Sequence, residues 1–131
     1  MGKQAGIRGF VTTPRHLVSR QQLFGKTAQR LEPAEGVLLS DPRFRAALIQ
    51  HYVSNAVREA LLAKGQSLRE YTDSLIDTDA LSYERLRKIQ SGHSTMMLAD
   101  FFHWGSHFPS VYSLLARQQF GYVSQYEDKF D

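Results

Sequence analysis

Apolar residues recur at intervals of three and four positions between Asp41 and Gly65, which predicts one long amphipathic helix. The apolar positions are Phe44, Ala47, Leu48, Tyr52, Ala56, Val57, Ala60 and Leu61. Asp41 is a favourable N-cap, and Pro42 suits the first helical position, where a backbone N–H would have no partner. Gly65 is expected to end the helix, because glycine readily adopts the left-handed conformation that closes helices.

Two shorter helices are predicted next. Ser67 and Glu70 have the spacing of a capping box, in which each side chain accepts a hydrogen bond from the other residue's backbone N–H. A polar break at 76–80 separates this helix from a second one, which spans about 82–90 and stops at Gly92. The buried faces comprise Leu68, Tyr71 and Leu75 in the first helix and Leu81, Leu86 and Ile89 in the second.

The remaining pattern predicts two further helices and a punctuated N-terminal region. Ser94 or Thr95 caps a helix that Gly105 and Pro109 close, and a last helix spans about 110–119. Their apolar residues are Met97, Leu98, Phe101, Phe102, Trp104, Val111, Leu114 and Leu115. Glycine and proline interrupt residues 1–40, which predicts loops and short elements there. The chain is therefore expected to be all-α, with about five helices.

The order of these elements is the layout of a helix-turn-helix, in which the second short helix enters the major groove of DNA. Residues 41–109 would form this DNA-binding domain, 1–40 a basic N-terminal arm or extension, and 110–131 a C-terminal helix and tail involved in dimerisation. The helix at 82–90 has polar and charged side chains opposite its apolar face. Arginine and lysine suit guanine, and glutamate accepts a hydrogen bond from the cytosine amino group.

The segment 81–92, LSYERLRKIQSG, resembles the recognition-helix segment of the phage-repressor family, the Cro-like or XRE-type helix-turn-helix proteins. The shared elements are Ser82, Leu86, Ile89, the polar pair Gln90-Ser91 and Gly92. The resemblance covers about residues 54–109 and implies a sequence-specific transcriptional regulator. The turn between the motif helices is roughly four residues longer than the family's usual tight turn, and it lacks the usual glycine.

The resemblance also implies which residues touch DNA. The implied base-contacting residues are Ser82, Tyr83, Glu84, Arg87 and Lys88. The implied phosphate-contacting residues are Ser67, with Lys64, Arg69 and Arg85 nearby, and His93 and Ser94 through their backbone amides.

Charge is distributed unevenly along the chain. The first 31 residues contain six Lys or Arg and no acidic residue, whereas the other 100 contain 10 basic and 13 acidic residues. Such a basic segment indicates a polyanionic partner. Arg8 and Arg15 are therefore candidate contacts to phosphates or to the minor groove, whose negative potential attracts arginine. The alternative is that residues 10–31 form helices that pack on the body or pair two subunits.

Other chemistries are disfavoured by the sequence. The chain has no cysteine, which excludes disulfides and cysteine-ligated zinc sites. His103 and His107 would share one helical face if the helix continued through Gly105, but zinc needs three or four ligands and no HExxH pattern is present, so no metal or cofactor is expected. No P-loop and no G-x-S-x-G elbow occurs, so the protein is not expected to be an enzyme.

The predicted partner is double-stranded DNA, bound by a homodimer, because one short helix reads few base pairs and paired half-sites multiply specificity. Neither a signal peptide nor a membrane-spanning segment is predicted, so the expected location is cytoplasmic and nucleoid-associated. The alternative function is a helical protein-interaction adaptor that uses the same fold without DNA.

Overall fold

The computed structural model describes residues 13–75 and 82–114, and this part of the chain is helical and contains no β-strand. Two 3₁₀-helices, Pro14–Leu17 and Gln21–Leu23, come first. They are followed by α1 (Pro42–Ala63), α2 (Leu68–Asp73), α3 (Tyr83–Gln90) and α4 (Leu98–His107), and the chain is helical again at 110–114. The predicted all-α fold is confirmed.

Local sequence signals set the ends of α1 and α2. Asp41 caps α1, since its Oδ1 accepts a hydrogen bond from the Arg43 N–H at 2.8 Å. Gly65 follows α1 with a φ of +65°, the left-handed conformation that was expected there. Ser67 Oγ accepts from the Glu70 N–H at 3.0 Å, and Glu70 Oε1 accepts from the Ser67 N–H at 2.9 Å. The predicted capping box is confirmed.

The boundaries of α4 differ from the prediction. Its N-cap is Met97, further along the chain than expected, and the Met97 N–H donates to Asp100 Oδ2 at 2.9 Å. The helix also continues through Gly105 to His107, so Gly105 does not end it as predicted, whereas Pro109 does lie just beyond its C-cap, Phe108. Gly105 instead allows the ring of Tyr112 to pack against the helix, because this ring occupies the space that a Cβ would fill.

The core consists of two clusters along α1. The first joins the beginning of α1 to the segment before it and comprises Leu17, Val18, Phe24, Leu31, Phe44, Ala47, Leu48 and Tyr52. The second joins the end of α1 to the later helices and comprises Val53, Val57, Leu61, Tyr71, Leu86, Trp104, Phe108 and Val111. Residues 17–31 therefore share a hydrophobic core with α1, which is the alternative to a free arm that the sequence left open.

His51 connects α1 to the segment before it from within the core. Its side chain is fully buried. Nδ1 accepts from the Gly25 N–H at 2.8 Å, so Nε2 carries the proton and donates to the Gln29 carbonyl at 2.8 Å. This arrangement requires a neutral ring, because a proton on Nδ1 would face the Gly25 N–H.

Acidification is expected to destabilise the fold through His51. Burial holds the pKa of His51 below its ordinary value, and the hydrogen bond with the Gln29 carbonyl opposes this only in part. The unfolded chain therefore takes up this proton at higher pH than the folded one, and stability falls as the pH drops below about 6.5. Urea unfolding between about pH 7.5 and 5 should show a falling midpoint, with a smaller fall in His51→Gln. An equal fall in both proteins would contradict the role of His51.

Candidate nucleic-acid interface

The outer face of α3 is turned to solvent while its inner face lies in the core. Leu86 and Ile89 are 0% exposed. Glu84, Arg87 and Lys88 are exposed, and Tyr83 is half-buried. Ser82 caps the helix, its Oγ accepting from the Arg85 N–H at 3.2 Å. The residues predicted to contact bases thus lie at the beginning and on the outer face of one helix, and their contact with bases stays a prediction.

Glu84 and Arg87 form an ion pair on this outer face. Arg87 Nη2 lies 2.9 Å from Glu84 Oε2, and Nε donates to Oε1 at 3.2 Å. The hydrogen bond from Arg87 is the main cause that lowers the pKa of Glu84 and raises that of Arg87. Because both side chains are largely exposed, the pair contributes little to stability. Arg87 is therefore accessible to another acceptor.

Arg69 of α2 lies against the first turn of α3. Its guanidinium carbon is 4.0 Å from the centre of the Tyr83 ring, within the range of a cation–π contact. This contact adds a cation from α2 to the polar surface of α3. Arg69 and Tyr83, which were predicted to contact phosphate and base respectively, are thus neighbours.

The C-terminal end of α3 is closed by Gly92, whose φ is +79°. The backbone N–H groups of His93 and Ser94 both donate to the Lys88 carbonyl, at 2.9 and 3.1 Å. These amides, predicted to touch a phosphate, are therefore already used to close the helix. The side chain of His93 is exposed and remains accessible.

Arg15 lies against this end of α3 and does not stand on a free arm. Its backbone N–H donates to the Gly92 carbonyl at 3.0 Å, and its Nη1 donates to the Ser91 carbonyl at 3.3 Å. Nη1 also lies 3.1 Å from His93 Nε2, and Nη2 donates to the Gln21 carbonyl at 3.1 Å. Arg8, the other predicted arm contact, lies outside the described residues.

Three other predicted phosphate contacts are engaged elsewhere. Arg85 Nη2 lies 2.6 Å from Oδ2 of the buried Asp100, which joins α3 to α4. Lys64 Nζ lies 5.1 Å from the centre of the Phe108 ring, beside the second core cluster. The Ser67 hydroxyl oxygen caps α2, as described above. These contacts give each side chain a structural role in the free protein.

Two basic residues that the sequence did not single out line a cleft beside α3. The cleft has a volume of about 400 Å³, and Lys26 and Arg58 lie along it together with Arg87, Gln90 and Ser91. Lys26 precedes α1 and Arg58 lies within it. No local pattern signals this placement, because the three segments meet only through tertiary packing.

Gln50 of α1 fixes the chain that leads out of α3. This buried side chain donates through Nε2 to the carbonyls of Ile89 and Ser94, at 2.8 and 2.9 Å. Its Oε1 accepts from the Met96 N–H at 2.8 Å. One amide thus holds both the last turn of α3 and the segment before α4, which sets the position of α3 on the body.

No family model, curated protein or solved structure matches this chain. In the part of the chain that the structure describes, no helix is both long and apolar enough to cross a membrane. Among the same residues, no three His, Asp or Glu side chains are grouped so that they could hold a metal ion. His103 instead pairs with the Tyr71 hydroxyl at 2.8 Å and packs against His107 with ring centres 4.6 Å apart.

Proposed function

We propose that the chain is a sequence-specific DNA-binding protein, a transcriptional regulator, that reads the major groove with α3. The supporting observation is the two-sided character of this helix. Leu86 and Ile89 are fully buried and hold the backbone in place, while Glu84, Arg87 and Lys88 project from the opposite side. A recognition helix needs this combination, because base discrimination requires donors and acceptors held in a fixed position.

Cations at both ends of α3 support the same function. Arg69 lies at the first turn, and Arg15, beside His93, lies just beyond the last. Contacts to phosphates on either side of a recognition helix fix its register in the groove. This distribution fits a helix whose ends approach the two phosphate backbones that border the groove.

An exposed apolar face supports assembly into a dimer. Met97, Leu98, Phe102 and Tyr112 are 60%, 77%, 57% and 39% exposed, and the first two line an apolar groove of about 420 Å³. Apolar surface of this kind is common at interfaces between proteins. A second copy on this face would give two α3 helices for a two-fold related site. The same face favours a protein-interaction adaptor as the second candidate function.

Replacing Arg87 and Lys88 together by alanine is expected to weaken binding to a selected duplex about 30-fold, or about 2 kcal/mol, since each side chain contributes to base or phosphate contact. Fragments would first be selected from a random DNA pool, and affinity then measured against salt concentration. Wild-type affinity should fall steeply as salt rises, and the variant should lose most of its preference for the selected sequence. Sedimentation of the complex should give two chains per duplex.

The matched control is Arg20→Ala with Arg30→Ala, which removes the same charge from exposed positions before α1. We expect this variant to retain its preference for the selected sequence. If the two double variants bind the selected duplex equally, α3 is not the recognition helix. If the wild-type protein selects no sequence and shows no salt-dependent duplex binding, the adaptor function is favoured instead.

A further inference from the structure

His93 stands among positively charged side chains at the C-terminal end of α3. Partial desolvation is the first cause that lowers its pKa, and charge repulsion from Arg15, Arg87, His16 and Lys88 lowers it further. The acidic side chain of α3, Glu84, lies in the first turn of the helix and is paired with Arg87. Like charges gathered in this way oppose protonation of His93 until an anion is bound.

The hydrogen bonds define the state of the His93 ring in the free protein. Arg15 can only donate, and its Nη1 lies 3.1 Å from Nε2 and 3.5 Å from Nδ1 of His93, so a neutral ring with a nitrogen lone pair toward Arg15 suits this contact. Nδ1 lies 2.5 Å from Ser91 Oγ, and that hydroxyl donates to the Lys88 carbonyl at 3.2 Å, so the tautomer with its proton on Nδ1 leaves Nε2 to accept from Arg15. A second proton, on Nε2, would place two donors against each other.

We propose, on the basis of the DNA-binding function above, that Arg15 and His93 form a site for one phosphate of the DNA backbone, and that filling this site takes up a proton on His93. A phosphate oxygen between the two groups would accept one hydrogen bond from Arg15 Nη1 and one from protonated Nε2. The two opposed donors would then become a bridge around an anion. The bound charge also removes the repulsion that disfavours protonation.

Hydrogen bonds hold both Arg15 and His93 in place before any ligand binds. Arg15 is held by the carbonyls of Gln21 and Ser91, and its own N–H by the carbonyl of Gly92. His93 is held by Ser91 and follows the turn at Gly92. The 3₁₀-helix that contains Arg15 therefore contributes to the proposed phosphate site, although Arg15 lies 76 residues from Ser91 in sequence.

Duplex affinity measured between about pH 8 and 6 tests the proposal. Uptake of one proton should strengthen binding as the pH falls, by at most tenfold per pH unit and by about tenfold in total. His93→Gln should bind with little pH dependence. His107→Gln is the matched control, because it removes an exposed histidine from α4 and should keep the wild-type dependence. His16→Gln should also keep most of it. Affinities are compared only at pH values where circular dichroism shows that the wild type and the three histidine variants are all folded.

A second measurement does not require DNA. The His93 ring is titrated by NMR in the free protein and again with inorganic phosphate, which should raise its pKa in the wild type and have less effect in Arg15→Ala. Equal pH dependence in wild type and His93→Gln, or an unchanged His93 pKa with phosphate, overturns the proton-linked site while duplex binding stands. A phosphate-sensitive His93 in a protein that binds no duplex upholds the anion site and overturns the DNA-binding function.

Discussion

Gln50→Leu is expected to lower the free energy of unfolding by about 4 kcal/mol. The substitution keeps the approximate volume of the side chain but removes its three hydrogen bonds, leaving the carbonyls of Ile89 and Ser94 and the N–H of Met96 without this partner. Each buried polar group left unsatisfied costs about 1–3 kcal/mol. Equilibrium urea unfolding, followed by the fluorescence of Trp104, measures the loss.

The matched control is Gln22→Leu, at an exposed position before α1. It should change stability by less than about 0.5 kcal/mol. Hydrogen exchange separates a local from a global effect of Gln50→Leu: the Met96 amide should lose more protection than the amides in the middle of α1. If both leucine variants unfold at the same urea concentration, Gln50 does not hold α3 on the body.

Gln50→Glu provides a second test of the same hydrogen bonds. A carboxylate can still accept from the Met96 N–H, but it cannot donate to the Ile89 and Ser94 carbonyls. We expect this variant to be strongly destabilised at neutral pH and to recover partly on mild acidification, since a protonated carboxyl group donates again. A pH-independent loss would indicate that packing, rather than hydrogen bonding, makes Gln50 important.

Features encoded within a few residues could be predicted from the sequence. The N-cap Asp41, the capping box of Ser67 and Glu70, and the turns at Gly65 and Gly92 each depend on neighbours in the chain. The apolar spacing of α3 likewise identified Leu86 and Ile89 as buried, which left its other side chains outside. The polar surface proposed to read DNA was accessible to sequence reasoning for this reason.

Features that depend on contacts between distant segments could not be predicted in this way. Gln50 and His51 interrupt the apolar pattern of α1 as ordinary polar residues, yet both are buried because their partners come from other parts of the chain. Nothing in the local sequence distinguishes Arg85 from an ordinary surface cation, because its partner Asp100 lies on a different helix. The basic charge of the first 31 residues places Arg15 in an arm, whereas its partners are the backbone carbonyls of Ser91 and Gly92, just beyond α3, and of Gln21.

Gly25 shows how closely the segment before α1 approaches α3. Its φ is +71°, and its N–H donates to His51. A Cβ built on this residue would lie 2.5 Å from the Gln90 carbonyl oxygen and 3.0 Å from Ser54 Cβ. The first distance is to backbone at the end of a helix, so the obstacle cannot rotate away as a flexible side chain would. Glycine is therefore required here by both conformation and space.

Gly25→Ala is accordingly expected to cost about 3 kcal/mol, of which the left-handed backbone accounts for about 1 kcal/mol and the collision for the remainder. Gly36→Ala is the matched control, because Gly36 has a φ of +82° and no atom beyond its chain neighbours lies within 4 Å of the added Cβ. This variant should therefore lose only the backbone contribution. The difference in urea unfolding free energy between these variants thus measures the close contact with α3.

Gly25→Ala should also weaken duplex binding under conditions where it is still folded, because displacement of this segment would carry Arg15 away from His93. Gly36→Ala should leave duplex binding unchanged. Equal stability losses in the two variants would mean that the segment before α1 does not pack closely against α3.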